Sequence, residues 1–226
     1  MTNQLSPQCP VNEPSCPIIE EVITLRDEVA GLQQQVRTDS LTGLYNFRHF
    51  TAVLEQEMER TRRSQQATAL IMVDLDHFKK VNDTWGHEVG NQALVSTAQI
   101  LSKSTRQLDT SCRYGGEEFA VILPSIDIVT ALQVAERIRE TIALTPVMVA
   151  GQDIGLTASL GVALYETQQG NISAQQLVER ADRCLYQAKD QGRNQVVHEV
   201  LERKPEFSVS LEEKAALSGM FGEYKE

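Results

Sequence analysis

Three observations predict an α+β fold for this 226-residue chain, a layered sheet flanked by helices and preceded by a helical stalk. The first is the unbroken apolar run at 67–75, ATALIMVDL, which suits a central buried strand and ends in acid. The second is a pair of short strand-like runs, 110–114 and 118–123, joined as a hairpin across Gly115 and Gly116. The third is helical periodicity between the strands, which orders the elements α-β-α-α-β-β-α-β-α-β with helices largely on one face of the sheet. A hydrophobic content of 41% and a charged content of 23% are those of a soluble globular protein, one ordinary domain with an extension.

Residues 1–17 hold four of the seven prolines and no periodicity, and read as a disordered tail. Over 18–37, Ile18, Val22, Leu25, Val29, Leu32 and Val36 recur at spacings of 4, 3, 4, 3 and 4. That is a short heptad seam, read as a coiled-coil stalk able to set a dimer, with a helix packed on its own domain as the alternative. The domain proper spans 38–200. Thr38 or Asp39 caps its start, and a helix follows over 47–64 with Phe50, Val53, Leu54 and Met58 on one face. After the strand at 67–75 come helices near 77–84 and 90–105, then the hairpin. A helix over 127–144 shows Ala131, Val134, Ala135, Ile138 and Ile142 as its stripe. A strand at 154–165, a helix at 173–190 and a strand at 194–200 complete the domain. The tail at 201–226 carries Pro205 and a short helix near 210–218, capped by Ser210.

The net charge of -10 argues against long-range attraction to nucleic acid or an anionic membrane. No apolar run approaches the roughly 20 residues that span a bilayer. The N-terminus has no basic segment followed by an apolar one, so a cytoplasmic location is expected. Of the four cysteines, Cys112 and Cys184 read as buried reduced thiols. Cys9 and Cys16 flank a proline-rich stretch, where a loose tail is the simpler reading than a metal or redox pair.

The candidate chemistry gathers around Gly115-Gly116-Glu117-Glu118-Phe119. Adjacent glycines let a backbone turn tightly and approach a phosphate or base, and the carboxylates after them are hard oxygen ligands suited to Mg²⁺. Asp74 ends the buried strand, where sites of open sheets tend to lie, and a buried carboxylate there should ligate or pair. Glu117 and Glu118 are expected to converge on it. Asp76-His77-Phe78-Lys79 opens a short helix whose free N–H groups would cradle phosphates, with Lys79 adding a point charge.

Five motifs then occur in order: Asp39 to Asn46 (DSLTGLYN), Asp74 to Asp83 (DLDHFKKVND), Gly86-His87, the GGEEF stretch, and Ala188 to Asn194 (AKDQGRN). Together they resemble the GGDEF-domain diguanylate cyclases of bacteria over about 38–200. The resemblance implies a fold like the palm of nucleotidyl cyclases and polymerases. It implies condensation of two GTP into cyclic di-GMP with release of two pyrophosphates, each half of a homodimer presenting one GTP. Mapped onto this chain, Asp74, Glu117 and the carbonyl of Leu75 would ligate Mg²⁺ (or Mn²⁺), and Glu118 would complete the acidic cluster or help activate the 3′-hydroxyl. Lys79, Lys189 and Arg193 would meet the phosphates, the last two sharing a helix edge if the helix runs that far. Asn82 would read the guanine edge, with Phe78, His87, Gly115 and Gly116 around the nucleotide.

Arg106 and Asp109 precede Gly115 with five residues between. In the resembled family that offset marks a site where product binds and inhibits, with Arg137 or Arg139 of a partner subunit as the opposing contact. One departure stands out: the family's Gly-Asp is Gly90-Asn91 here. Asn91 presents an amino group where a carboxylate would accept, which puts strict choice of GTP in question. The alternatives to the cyclase reading are therefore a catalytically weak cyclic di-GMP receptor and a cyclase of relaxed base choice that also makes cyclic GMP-AMP.

Overall fold

The computed structural model describes residues 17–35, 37–149 and 151–199. The expected tails, with Cys9, Cys16 and the helix near 210–218, and Val36 of the seam lie outside the described residues. A mixed six-stranded sheet has the order β1-β3-β4-β2-β7-β8. Its strands are β1 (Tyr45–Asn46), β2 (Thr68–Leu75), β3 (Thr110–Arg113), β4 (Glu118–Leu123), β7 (Ala158–Tyr165) and β8 (Val196–His198). The apolar runs of β2 and β7 are buried along their whole length and lie antiparallel at the centre. The hairpin β3–β4 forms as expected, and β4 pairs antiparallel with the other edge of β2.

The helices are α1 (Pro17–Gln35), α2 (Phe47–Ser64), α3 (Phe78–Trp85), α4 (His87–Ser104), α5 (Ile128–Leu144) and α6 (Ala174–Asp190). They do not lie largely on one face. Successive side chains of β2 alternate between two cores. Ala69, Ile71, Val73 and Leu75 join Ala93, Leu94 and Ala98 of α4 and Ala131, Ala135 and Ile138 of α5. Leu70 and Met72 join Phe50, Leu54 and Met58 of α2 and Leu177, Ala181 and Leu185 of α6. A central strand apolar at every position has two faces to bury, so helices are needed on both.

The expected strand at 154–165 is interrupted. Residues 155–157 belong to neither strand, although the β2/β7 register runs on one pair further, the Asp76 N–H donating to the Thr157 carbonyl at 2.8 Å. The part before the break is β6 (Gln152–Ile154), which pairs with β5 (Val147–Val149) as a separate two-stranded ribbon. The start of α2 has its own cap, and Asp39 caps the turn before it. Asn46 accepts from the His49 N–H, whereas Asp39 accepts from the Thr42 N–H and hydroxyl in a local turn. Cys112 and Cys184 are free and buried, and burial pushes their thiols up to about 12 and about 11.

Helix α1 leaves most of its described seam in water: Ile18, Leu25, Val29 and Leu32 are 51–69% exposed, and Val22 is half-buried. That favours an open seam over a helix packed on its own domain. At the other end of the domain, α6 lies against β7 without a side chain between them at Gly161. A Cβ there would stand 2.2 Å from the Ala181 carbonyl oxygen and 2.3 Å from the Leu185 nitrogen, both backbone atoms that cannot yield. Gly161→Ala is therefore expected to lower unfolding free energy by about 1–3 kcal/mol in denaturant titration, because it forces the helix off the sheet.

Candidate active site

The antiparallel register of β2 against β4 and β7 brings the C-terminal end of β2 beside the N-terminal ends of the other two. Asp74 stands directly across from Glu118 on one side and from Ser159 on the other. Asp74 shares the parity of Leu70 and Met72, and Glu118 that of Ala120 and Ile122, so both carboxylates belong to the α2/α6 face. From α6, Lys189 reaches Asp74 with Nζ 2.8 Å from Oδ2. The close approach at Gly161 is what brings that helix near enough.

Like charges opposed across a strand pair are unfavourable, and here they are also partly desolvated. Burial pushes the Asp74 carboxyl above its ordinary range against the pull of Lys189, with Asp76 adding to the rise. Burial and the Asp74 charge likewise push Glu118 upward. Two partly desolvated carboxylates with one ammonium, held on Asp74, form a site short of positive charge. Hard oxygen donors in that state suit Mg²⁺. Among the described residues no three Asp, Glu, His or Cys side chains gather into a ready metal cage, so the expected convergence of three acids is not formed. Mg²⁺ does not need it, since this ion is commonly held by one or two carboxylates completed by substrate phosphates and water. Glu117 lies just before β4, its carbonyl accepting from the Leu75 N–H at 3.4 Å, which sets it beside the end of β2.

Asp76 is a structural bolt that motif reading left without a role. Its carboxylate accepts from the Thr157 and Ser159 hydroxyls, each at 2.7 Å, and from the Asn194 N–H at 3.0 Å. It thus joins the end of β2 to β7 and to the loop after α6.

Neither of the two glycines takes a left-handed conformation. At Gly115 a Cβ would lie 2.5 Å from Glu118 Oε2, so this glycine makes room for the folded-back carboxylate. Gly116 meets no such restriction among the described residues, and its carbonyl accepts from Arg113 at 2.8 and 3.2 Å. Arg113 also forks onto Asp39 at 3.2 and 3.3 Å, tying the glycine turn to the turn at 39–42. The Asp39 carboxyl is pushed up by burial, but the Thr42 bonds and the Arg113 charge outweigh this and hold it below the usual range.

Helices α2, α5 and α6 carry side-chain caps from Asn46, Asp127 and Ser173. Among the described residues, α3 and α4 have no such cap and begin at His77 and Gly86 in positive-φ backbone. The N–H groups at the start of α3 open just beyond the end of β2, and Lys79 and His87 are exposed in the first turns of α3 and α4. The ring of Phe78 is buried in the core, so any contact of that residue with a ligand falls to its backbone. A Cβ on Gly90 would lie 1.9 Å from Asn82 Oδ1, so α3 and α4 meet closely where Asn82 sits. Asn91 borders a groove of about 360 Å³ with Leu41, Glu88, Gln92 and Val95. Leu41 was not singled out in the sequence, although it lies inside the first motif.

Arg106 and Asp109 close a turn in which the Arg106 N–H donates to Asp109 Oδ2 at 2.7 Å, leaving the guanidinium exposed. Arg137 donates to the Ser104 carbonyl at 2.6 Å, within its own domain beside that turn. Arg193 does not share a helix edge with Lys189, because α6 ends at Asp190 and Arg193 lies beyond it at φ +66°.

A family profile described as "Diguanylate cyclase, GGDEF domain" matches residues 36–195. The chain belongs to the GGDEF-domain diguanylate cyclase family. The response regulator PleD of Caulobacter vibrioides is 39% identical over 160 residues, which cover 71% of this chain and 35% of PleD. Diguanylate cyclase DgcP of Pseudomonas aeruginosa is 40% identical over 164 residues, covering 73% of this chain and 24% of DgcP. The chain thus spans about a quarter to a third of these two relatives. Among solved structures, the coiled coil and GGDEF domain of DgcB from Caulobacter crescentus, in complex with c-di-GMP, matches with a TM-score of 0.69 at 30% identity. That match covers 80% of this chain and 94% of the DgcB chain. Diguanylate cyclase SiaD from Pseudomonas aeruginosa, in complex with its activator SiaC, matches with a TM-score of 0.70 at 37% identity, over 80% of this chain and 68% of SiaD. The mixed sheet flanked by helices is therefore the GGDEF fold.

In this GGDEF domain the Asp74 carboxyl, with an ordinary value of 3.8, is raised on folding. A raised acid binds its proton more tightly folded than unfolded, so stability falls as pH rises from about 4 through the raised value, and the full penalty is present at neutral pH. Asp74→Asn is accordingly expected to melt at or above the wild-type temperature at pH 7 without divalent metal, with the difference shrinking toward pH 4. A variant that melts several degrees lower at pH 7 would contradict this.

Proposed function

We propose that this chain is a cytoplasmic, Mg²⁺-dependent diguanylate cyclase that condenses two GTP into cyclic di-GMP and releases two pyrophosphates. The observation that carries the reading is the opposed pair Asp74 and Glu118, short of positive charge, with the uncapped start of α3 just beyond the end of β2. Asp74 and Glu117, with the Leu75 carbonyl, would hold the metal. The ion would supply charge neutralisation between the attacking and leaving oxygens. Lys79 and the open N–H groups of α3 bind the terminal phosphates, and Lys189 and Arg193 meet them from the other side. Lys189 then exchanges its contact with Asp74 for one with phosphate. Glu118, with its raised affinity for a proton, is suited to draw the proton from the attacking 3′-hydroxyl.

The guanine lies between α3 and α4, against Asn82 and in the groove of Leu41 and Asn91. One domain presents one nucleotide, so the reaction needs two domains face to face. The unburied seam of α1 supports a homodimer joined through a stalk over 18–37, with the cyclase domain at 38–200, and the DgcB structure pairs a coiled coil with the same kind of domain. Product inhibition at Arg106 and Asp109 is part of the proposal. It is supported by the exposed guanidinium of Arg106 and by the complex of DgcB with c-di-GMP.

Purified protein with Mg²⁺ and GTP, stripped of bound nucleotide, is expected to release pyrophosphate, and Glu117→Ala to abolish release. A folded wild type with no release would overturn the cyclase reading, leaving the receptor alternative. With equimolar GTP and ATP, mass spectrometry is expected to find cyclic di-GMP as the main product, and a comparable yield of mixed cyclic dinucleotide would favour the alternative of relaxed base choice. Asn91→Asp should then raise preference for GTP about tenfold, the scale of one charge-assisted hydrogen bond. No change in the product ratio would remove Asn91 from base selection.

A further inference from the structure

The loop after α6 holds its shape against its own backbone preference. Gly192, Arg193 and Asn194 stand in succession at φ +117°, +66° and +45°. Glycine tolerates this region freely, but two consecutive side-chain-bearing residues persist there only where the surroundings hold them. The backbone is held at three points. The Arg193 N–H donates to the Ala188 carbonyl at 3.0 Å, the Asn194 N–H to Asp76 at 3.0 Å, and the Leu160 N–H to the Gln195 carbonyl at 2.9 Å.

A fourth hold comes from a different helix. Arg139 of α5 donates from Nη1 to Asn194 Oδ1 at 2.9 Å, across 55 residues of sequence. Its guanidinium is not free to choose another direction. Nε and Nη2 both donate to Glu136 Oε1 one turn earlier, Glu140 lies 3.7 Å away, and the side chain is only 17% exposed. A planar fork fixed along one edge by Glu136 has its remaining edge aimed at Asn194.

We infer that Arg139 is a positioning residue: it latches Asn194, and through it sets the neighbouring Arg193 for contact with the substrate's phosphates. The latch stands on the geometry above. What Arg193 touches rests on the cyclase reading. Arg139 itself meets no substrate and acts within its own domain, which differs from the partner-subunit contact considered for it in the sequence. Lysine would not replace it, because one ammonium cannot hold Glu136 and Asn194 in fixed relation as the fork does.

The test compares wild type, Arg139→Gln, Arg139→Lys, Asn194→Ala and the Arg139→Gln/Asn194→Ala double variant. Amide hydrogen exchange by mass spectrometry reads the latch without reference to activity. Peptides covering 191–195 are expected to exchange about tenfold faster in Arg139→Gln and in Asn194→Ala, with melting temperatures near wild type and no change in peptides of β2 or β4. The double variant is expected to be no worse than either single variant, since the two residues share one contact. In pyrophosphate-release kinetics, KM for GTP is expected to rise about five- to tenfold with kcat reduced less, and Arg139→Lys to recover only part of the loss.

Unchanged exchange at 191–195 in both single variants overturns the latch. Faster exchange with an unchanged KM overturns the link from the latch to substrate. Should Arg139→Gln melt well below wild type, Asn194→Ala provides the same local comparison without disturbing α5. A wild type without GTP turnover counts against the cyclase reading, and the exchange comparison still decides the latch.

Discussion

The structure turns on an unfavourable contact: Asp74 and Glu118 face one another across the central strands, partly out of water, with the Lys189 ammonium at 2.8 Å as the close compensation. Evolution toward stability alone would replace such a pair. Around it the rest of the domain is arranged to keep the acids in place. The uninterrupted burial of β2 and β7 fixes the register that sets them opposite. Gly161 lets α6 close on β7 so that Lys189 arrives, and Gly115 leaves room for the Glu118 carboxylate. Asp76, three bonds deep in the adjoining turn, keeps the ends of β2 and β7 and the loop after α6 from drifting apart.

Charge deficit, open helix starts and base groove serve one chemistry. Under the cyclase proposal, a nucleoside triphosphate with its metal would bring positive charge to the carboxylates and acceptor oxygens to the N–H groups at the start of α3. By contrast, α2, α5 and α6 are capped by their own side chains. Membership in the GGDEF family and the match to structures at TM-scores near 0.7 agree with this arrangement.

Much of this was legible in the sequence, and the reasons are local. ATALIMVDL could be little other than a buried strand, the hairpin was marked by its glycines, and the stripes of α2 and α5 repeat at helical spacing. The motifs placed Asp74, Glu117, Glu118 and Lys189 in one neighbourhood before any geometry was known. What escaped depends on distance in the chain or on absence of a side chain. Which face of the sheet a helix covers follows from packing, and the expectation of a largely one-faced sheet failed on the alternation within β2. The ion pair of Arg113 with Asp39 and the bond from Arg139 to Asn194 join residues 74 and 55 positions apart, with no pattern to announce them. Gly161 looked like any glycine in a strand.

The central claim is that Asp74 and Glu118 are held under electrostatic tension that only a bound cation relieves. Its most direct test is a carboxyl-carbon NMR titration of the two residues, first in metal-free protein and then with Mg²⁺ and a non-hydrolysable GTP analogue. The account predicts that both titrate above their ordinary values of 3.8 and 4.5 in the metal-free domain, and that both fall when metal and nucleotide bind. Titration of both at or below those values in the metal-free domain, or no response to metal and nucleotide, would contradict it.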